Sequence, residues 1–318
     1  MDTRLEAVSA AQAAWDRIVA AFDRFCFDPI DLRLVGVMRA LYAALLFVNV
    51  ALWGPDLLLW FGESGVMPYE QARALGDLDT LTLFAVLPRT DLTVQIAYAL
   101  FLGHIVLLGV GFRSRLQAVF TFVWLLSFQH RYVMLFDGED TVFRLLGAAF
   151  VFLPIASCYS LDAWLARRRG RPYARHGSAW ALRLVQLEIS AIYLSTAWEK
   201  LRGHDWLDGT ALYYVSRLDD LFGHFPIPGA VLESLTALKL MTWSVLAIEV
   251  SLPLLLWIPR TRCLGILLAV ALHLGIEYSM SLFLFEWVML LGLLSFTRPE
   301  DFAALRALFP RLRGRRPL

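Results

Sequence analysis

The chain has 318 residues, 58% of them hydrophobic and 18% charged, with a net charge of +1. Soluble globular domains are nearer about 45–50% apolar and about 25% charged, so the composition argues against an ordinary soluble domain, and the balanced charge argues against a nucleic-acid partner. Cys26, Cys158 and Cys263 are the only cysteines, too few and too scattered for a disulfide framework or a metal centre.

Several stretches approach the roughly 20 apolar residues that cross a bilayer as a helix. The predicted fold is all-α: a multi-pass transmembrane helical bundle of about eight spans, one domain over residues 1–318. Residues 1–30 open with "MDTRLEAVSAAQAAWDRIVAAF". They lack the continuous apolar core of a signal peptide. Their apolar residues recur at helical spacing with Arg17, Asp23 and Arg24 between them, which predicts an amphipathic helix lying on the membrane surface.

The first span is Leu34–Trp53, broken only by Arg39 and Asn49 and closed by Gly54-Pro55. A polar stretch with Trp60, Phe61 and Tyr69 leads to Asp91. Spans two and three, Leu92–Gly111 and Leu116–Phe128, are joined by "FRSR" (Phe112–Arg115). Span four is Val142–Ala156, followed by the basic loop "ARRRGRPYARHG" (Ala166–Gly177). Span five is Ala179–Trp198, and span six is Leu240–Ile258.

The last apolar run, Cys263–Phe296, has 34 residues, too long for one span and short for two. Loop charge decides, because basic residues collect on the cytoplasmic side. Arg113 and Arg115, Arg167–Arg169 with Arg171, and Arg260 with Arg262 follow spans two, four and six. Asp56, Glu63, Asp77 and Asp79 follow span one, and Asp137, Glu139 and Asp140 follow span three. A basic tail over 298–318 is then cytoplasmic only if the last run crosses twice, turning near Tyr278–Ser281. Eight spans in the cell membrane with both termini cytoplasmic are expected; seven plus a re-entrant segment is the rival.

Charged side chains at membrane depth usually face the bundle interior or a watery cavity. Gln129, His130 and Arg131 end span three; Asp137, Glu139, Asp140 and Arg144 surround the start of span four. Glu199, Lys200 and Arg202 end span five, His273 and Glu277 share one face of span seven, and Glu286 opens span eight. These groups are expected to line one outward-facing cavity. The plainer readings are packing histidines, span-end residues that snorkel, and Glu188 and Glu249 paired with arginines to bury charge. His273 and Glu277 supply only two ligands, so no metal is predicted.

Lys200 stands out because only two of the 29 basic side chains, Lys200 and Lys239, are lysines. Arginine cannot give up its proton in a protein; a desolvated lysine can.

Several segments resemble the HTTM family, named for a horizontally transferred transmembrane domain, and the related membrane domain of vitamin K-dependent gamma-carboxylase. They are "FDPIDLRLVGVMRALYA" (Phe27–Ala43), "SGVMP" (Ser64–Pro68), "GFRSRL" (Gly111–Leu116), "FDGEDTVFRLL" (Phe136–Leu146), "EKLRGHDWLDGTALYY" (Glu199–Tyr214) and "HLGIEYSMSLF" (His273–Phe283). The resemblance implies that Lys200 is a general base acting on a hydrophobic, quinol-like substrate from the extracytoplasmic face. In the carboxylase, oxygenation of the quinol then drives proton removal from glutamate and addition of CO2. Asp140 falls near the position of a functional asparagine–histidine pair, with different residue types. The chain ends soon after its last span, leaving no room for the carboxylase's lumenal domain, so a quinone or lipid-like substrate is expected ahead of a carboxylated peptide.

The expected catalytic residues are therefore Lys200, His273 and Asp140, with His130, Arg131, Asp137, Arg144, Trp206 and Glu277 as substrate-binding residues. Expected partners are membrane lipid, a hydrophobic small molecule or quinone (a vitamin K-like quinol as cofactor), and a peptide substrate. The alternative is a non-enzymatic membrane partner in peptide maturation, immunity or secretion. A transporter is the third reading, and it lacks the internal repeat that such folds commonly show.

Overall fold

A computed structural model of the chain describes residues 2–75, 81–218, 221–298 and 301. Asp77, Asp79 and nearly all of the expected basic tail over 298–318 lie outside the described residues. The described residues are helical apart from one small strand pair and connecting turns, and they form two compact units, Met1–Val185 and Gln186–Leu318.

The first unit contains α1 (Asp2–Phe27), β1 (Pro29–Asp31), α2 (Leu32–Ala51), α3 (Leu57–Phe61), α4 (Tyr69–Leu75), α5 (Asp91–Val110), α6 (Ser114–Arg131), α7 (Gly138–Phe152), α8 (Leu161–Arg168) and β2 (His176–Ser178). The strands were not expected. They pair antiparallel, Pro29 opposite Ser178, and tie the entry to α2 to the end of the basic loop. Asp31 caps α2 by accepting from the Arg33 N–H at 2.9 Å. Its hydrogen bonds to the Arg33 guanidinium hold its carboxyl below the usual range.

Helix α2 is the centre of this unit. Val35, Met38, Arg39, Tyr42, Leu46, Asn49 and Val50 recur at three- and four-residue spacing and are all buried. On one side α2 runs antiparallel to α5: Arg39 meets Leu108 and Gly109, while Tyr98 Oη reaches the Ala51 carbonyl at 3.3 Å. On another it runs antiparallel to α7: Tyr42 Oη donates to the Phe143 carbonyl at 2.9 Å, and Asn49 donates to Asp140 at 3.1 Å.

Arg39 is 0% exposed. It donates to the carbonyls of Leu108 (2.7 Å), Gly109 (2.9 Å) and Tyr159 (2.5 Å). The first two belong to the last turn of α5, where the Leu108 carbonyl also accepts from the Gly111 N–H at 3.0 Å, and a cation is favoured at that end of the dipole. Gly111 then reverses the chain at φ 72°, a conformation for which glycine has no steric cost. The start of α6 is met by the opposite charge. Asp162 accepts from the backbone N–H groups of Arg113 and Ser114 and from Ser114 Oγ, each at 2.8 Å. The "FRSR" turn is thus held by a guanidinium on one side and a carboxylate on the other.

At the other end of α5 an aromatic cluster fills the unit. Phe128 packs edge-on against Phe61 at 5.2 Å and Phe84 at 5.0 Å, and stacks on Phe101 at 5.8 Å. In an apolar solvent such contacts contribute through close packing rather than transfer from water.

The second unit contains most of α9 (Trp180–Arg202), then α10 (His204–Leu207), α11 (Ala211–Val215), α12 (Gly229–Leu232), α13 (Leu235–Trp257), α14 (Arg262–Ser279) and α15 (Phe285–Leu293), extended by a 3-10 turn over Leu294–Phe296. α13 and α14 form a close hairpin: a Cβ on Gly265 would sit 3.0 Å from the Leu255 Cβ. Arg262 pairs with Asp301 at 3.0 Å. The segment around Phe222 crosses the end of α14 as a bridge to Met280, and Tyr278 Oη donates to the Pro226 carbonyl at 2.7 Å.

Among the described residues, four helices are long and apolar enough to cross a membrane: α2, α5, α13 and α14, of 20, 20, 23 and 18 residues. The other expected spans are helical but less suited alone. α7 has 15 residues, while α6 and α9 carry polar and charged side chains through much of their length. The last apolar helix, Phe285–Phe296, rises about 18 Å at 1.5 Å per residue, against a hydrocarbon core of about 30 Å.

Replacing Arg39 by methionine takes one donor from each of the carbonyls of Leu108, Gly109 and Tyr159, of which Leu108 keeps the Gly111 N–H. The expected cost is about 3 kcal/mol, read as a lower thermal midpoint in detergent micelles; Val106→Ala, on an exposed face of α5, should leave the midpoint unchanged.

Candidate functional site

Helix α9 carries the main polar line of the second unit. Tyr193 and Lys200 are seven residues apart, which is two turns, so they share one face about 10 Å apart along the axis. Lys200 Nζ donates to both Glu249 carboxylate oxygens, at 2.8 and 2.6 Å. The lysine side chain is 21% exposed and the glutamate 8%. Trp206 closes over the ammonium, its ring centre 5.1 Å from Nζ.

The turn that presents Trp206 is built by the rest of its motif. Asp208 accepts from the Thr210 N–H at 2.9 Å and from its hydroxyl at 2.6 Å, and these bonds hold its carboxyl below the usual range. Trp243 Nε1 donates to the Leu207 carbonyl at 3.2 Å. Gly209 adopts φ 85°, and a Cβ there would meet the Trp243 ring at 2.9 Å. The motif's glycine and second aspartate therefore shape the loop, and its lysine and tryptophan face each other.

Two turns back on α9, Tyr193 Oη lies 2.6 Å from His273 Nε2 on α14. His273 Nδ1 is hydrogen-bonded to Glu286 at the start of α15. In the tautomer whose Nδ1–H donates to the carboxylate, Nε2 accepts from the tyrosine hydroxyl, so the carboxylate fixes the ring and the ring fixes the phenol. All three side chains are buried, and Glu249 lies within electrostatic reach of both Tyr193 and Glu286. Glu286 Oε1, Glu277 Oε2 and Glu188 Oε2 are buried without a hydrogen-bond partner among the described residues. Buried polar atoms are rarely left so.

Several expected partners differ. Glu249 meets Lys200 rather than an arginine. Glu277 shares a helix face with His273 but accepts from Trp287 Nε1 at 3.2 Å, while His273 takes Glu286.

The remaining expected site residues lie in the first unit. Asp140 is buried at the start of α7: Oδ1 accepts from Asn49, Oδ2 accepts from the Asp137 N–H at 3.3 Å, and its carbonyl accepts from Gln129 at 2.9 Å. Arg144 is half-buried, one turn on, within electrostatic reach of Asp140. Asp137 is exposed. His130 bonds the Leu81 carbonyl at 2.9 Å, and Arg131 donates to the Phe61 carbonyl and to Glu63 at 3.0 Å. The described contacts of His130 and Arg131 thus close a loop. Asp91 does the same from the start of α5, accepting from the Glu63 N–H at 2.7 Å and the Ser64 hydroxyl at 2.6 Å.

Sequence reasoning did not single out Tyr193, and it gave neither Glu249 nor Glu286 its partner. The available signal for Tyr193 was its two-turn spacing from Lys200. Nothing local marks Glu249, 49 residues from Lys200, as that lysine's partner.

Two relatives from Bacillus subtilis (strain 168) resemble the chain at low identity. The sporulation-delaying protein SdpB is 23% identical over 226 residues, covering 69% of this chain and 68% of the relative. The uncharacterized protein YitO is 20% identical over 272 residues, covering 84% and 85%. No solved structure matches the chain. The HTTM domain profile matches residues 27–300, a stretch that holds α2, the Lys200–Glu249 pair and the Tyr193–His273–Glu286 line, so this protein belongs to the HTTM family.

Proposed function

We propose that this membrane protein is an enzyme that moves a proton on a hydrophobic, quinol-like substrate, with Lys200 and Glu249 as a paired base and Tyr193 as the neighbouring hydrogen-bonding group. One observation carries the reading: a half-buried lysine bound to both oxygens of a buried carboxylate, on the same helix face as a buried phenol–imidazole–carboxylate line. Glu249 is placed to take the lysine's proton. Away from water, the neutral amine–acid pair avoids the cost of keeping two charges desolvated. The free amine faces Trp206, where an apolar substrate head group can stack. The resemblance to the gamma-carboxylase membrane domain supports the same assignment for Lys200, and arginine could not serve there.

A second reading is favoured by the similarity to the sporulation-delaying protein SdpB: a non-enzymatic partner in peptide maturation, immunity or secretion. In that case the Lys200–Glu249 pair is an anchor between α9 and α13.

For topology we propose eight crossings of the cell membrane, with both termini cytoplasmic, in keeping with the alternation of basic and acidic loops. The short last helix then reaches its boundary by local thinning of the bilayer.

The topology is checked by single-cysteine labelling in sealed cells. Positions 135 and 205 should react with a membrane-impermeant reagent and position 169 should not; labelling at 169 would invert or break the scheme. The chemistry is checked by comparing lipids and secreted peptides from cells carrying wild type, Lys200→Arg, Lys200→Ala and Glu249→Gln at matched protein levels. The product that disappears with Lys200→Ala identifies the reaction. Lys200→Arg should lose at least about 100-fold in its formation while remaining folded in the membrane. Full function in Lys200→Arg would establish the anchor reading instead.

A further inference from the structure

The first unit carries a second surface that the chemistry above leaves unused. On α1, Trp15, Ile18, Val19, Phe22 and Phe25 are exposed, by 61, 62, 39, 59 and 37%. At 100° per residue they fall within an arc of about 120°. Asp16, Arg17, Asp23 and Arg24, all exposed, occupy the opposite arc. The described hydrogen bonds from α1 to the rest of the unit are at its C-terminal end. Ser178 Oγ donates to the Cys26 carbonyl at 3.1 Å, and Arg183 Nε donates to the Phe25 carbonyl at 3.0 Å. Strand β1 then pairs with β2, and the Leu32 N–H donates to the Arg175 carbonyl at 3.0 Å.

Chain continuity says what covers the apolar arc. Only residues 28–31 separate α1 from α2, the first of the helices long and apolar enough to span. Those residues reach about 17 Å at most, so the C-terminal end of α1 is held to the membrane surface where α2 enters. The same end of the unit holds the loop with exposed Arg167, Arg168, Arg169, Arg171 and Arg175. Leu161 and Trp164, one turn apart on α8, are exposed too, and the Arg168 guanidinium lies 4.1 Å above the Trp164 ring. Apolar and aromatic side chains beside a block of arginines suit the boundary of a leaflet rich in anionic headgroups.

We propose that α1, α8 and the basic loop form one in-plane binding surface for anionic phospholipid, with the α1 apolar arc sunk to acyl-chain level and the loop arginines on the headgroups. The surface is independent of Lys200 and stands or falls apart from the proposed enzyme activity.

The test uses the full chain in nanodiscs of phosphatidylcholine, with or without phosphatidylglycerol. In a background with Cys26, Cys158 and Cys263 changed to serine, spin labels are placed at position 18 or 17. In the mixed lipid, the label at 18 should be shielded from a water-soluble relaxing agent and open to oxygen, and the label at 17 the reverse. Equal access to water at both positions, or shielding at 18 that needs an added protein, would overturn the proposal. The natural-cysteine protein gives an independent readout: lipids retained after detergent extraction, by native mass spectrometry. Wild type should retain phosphatidylglycerol several-fold above its share of the mixture. Changing Arg167, Arg168, Arg169 and Arg171 to glutamine should bring retention down to about the lipid's share of the mixture, since each arginine near an anionic surface contributes about fivefold. Retention in proportion to the mixture, or enrichment that survives the four changes, rejects anionic-lipid recognition.

Discussion

The central constraint on this molecule is that a charged or backbone polar group away from water must find its partner inside the protein. Arg39 shows it at its two terminal nitrogens, while its Nε is buried without a hydrogen-bond partner among the described residues. Its guanidinium has no solvent exposure, and it faces carbonyls rather than a carboxylate. Those carbonyls lie at the end of α5, where a helix ordinarily needs water or a cap. One side chain on α2 therefore ends α5, fixes the antiparallel pairing of the two helices and, through Tyr159, holds the segment that leads into α8. Asp162 completes the arrangement at the start of α6. Opposite charges thus sit at opposite helix ends across a short turn, in the sense that the helix dipoles favour.

The same constraint explains why conspicuous polar residues divide into two kinds. Arg131, His130 and Asp91 have their described hydrogen bonds to loop backbone and neighbouring side chains, and they fold the segment after α2 against α5 and α6. Lys200 bonds to Glu249, and Tyr193 to His273 and His273 to Glu286, two sets carried on four helices of the second unit. Loop closure needs only that each donor be satisfied. A line of titratable groups with a carboxylate oxygen left over, as at Glu286, is more than packing requires and is where chemistry is best sought. This is why the proposed activity is placed on α9 and not on the loop-closing residues around Arg131.

The stretch Glu199–Tyr214 shows how one motif serves both purposes. Gly209 takes a left-handed conformation against Trp243, and Asp208 is held by Thr210. These are requirements of a tight turn. Lys200 and Trp206 are brought together by that turn, and Glu249 reaches them from α13. A motif read as a string of equivalent signature residues thus separates into two that meet around a charge and several that keep them in place.

The sequence by itself determined the helical class, the family, the approximate limits of the major helices and the choice of Lys200. The reason is that these are local quantities. Apolar run length, Gly-Pro and "FRSR" breaks and loop charge are carried by neighbouring residues, and a lysine at a helix end in an arginine-using chain is visible without a structure. Residue periodicity also placed His273 and Glu277 on one face. It did not decide their partners. Glu249 for Lys200, Glu286 and Tyr193 for His273, Trp287 for Glu277, and the α5 carbonyls for Arg39 were decided by tertiary structure alone, because each joins residues from different elements and several candidate charges could have met each need. The strands β1 and β2 belong here too: three residues on either side of a long helical stretch carry no periodicity, and they become strands only because the fold brings Pro29 opposite Ser178. What local chemistry names, only packing can pair, since the partner of a buried charge is chosen by which helices lie side by side.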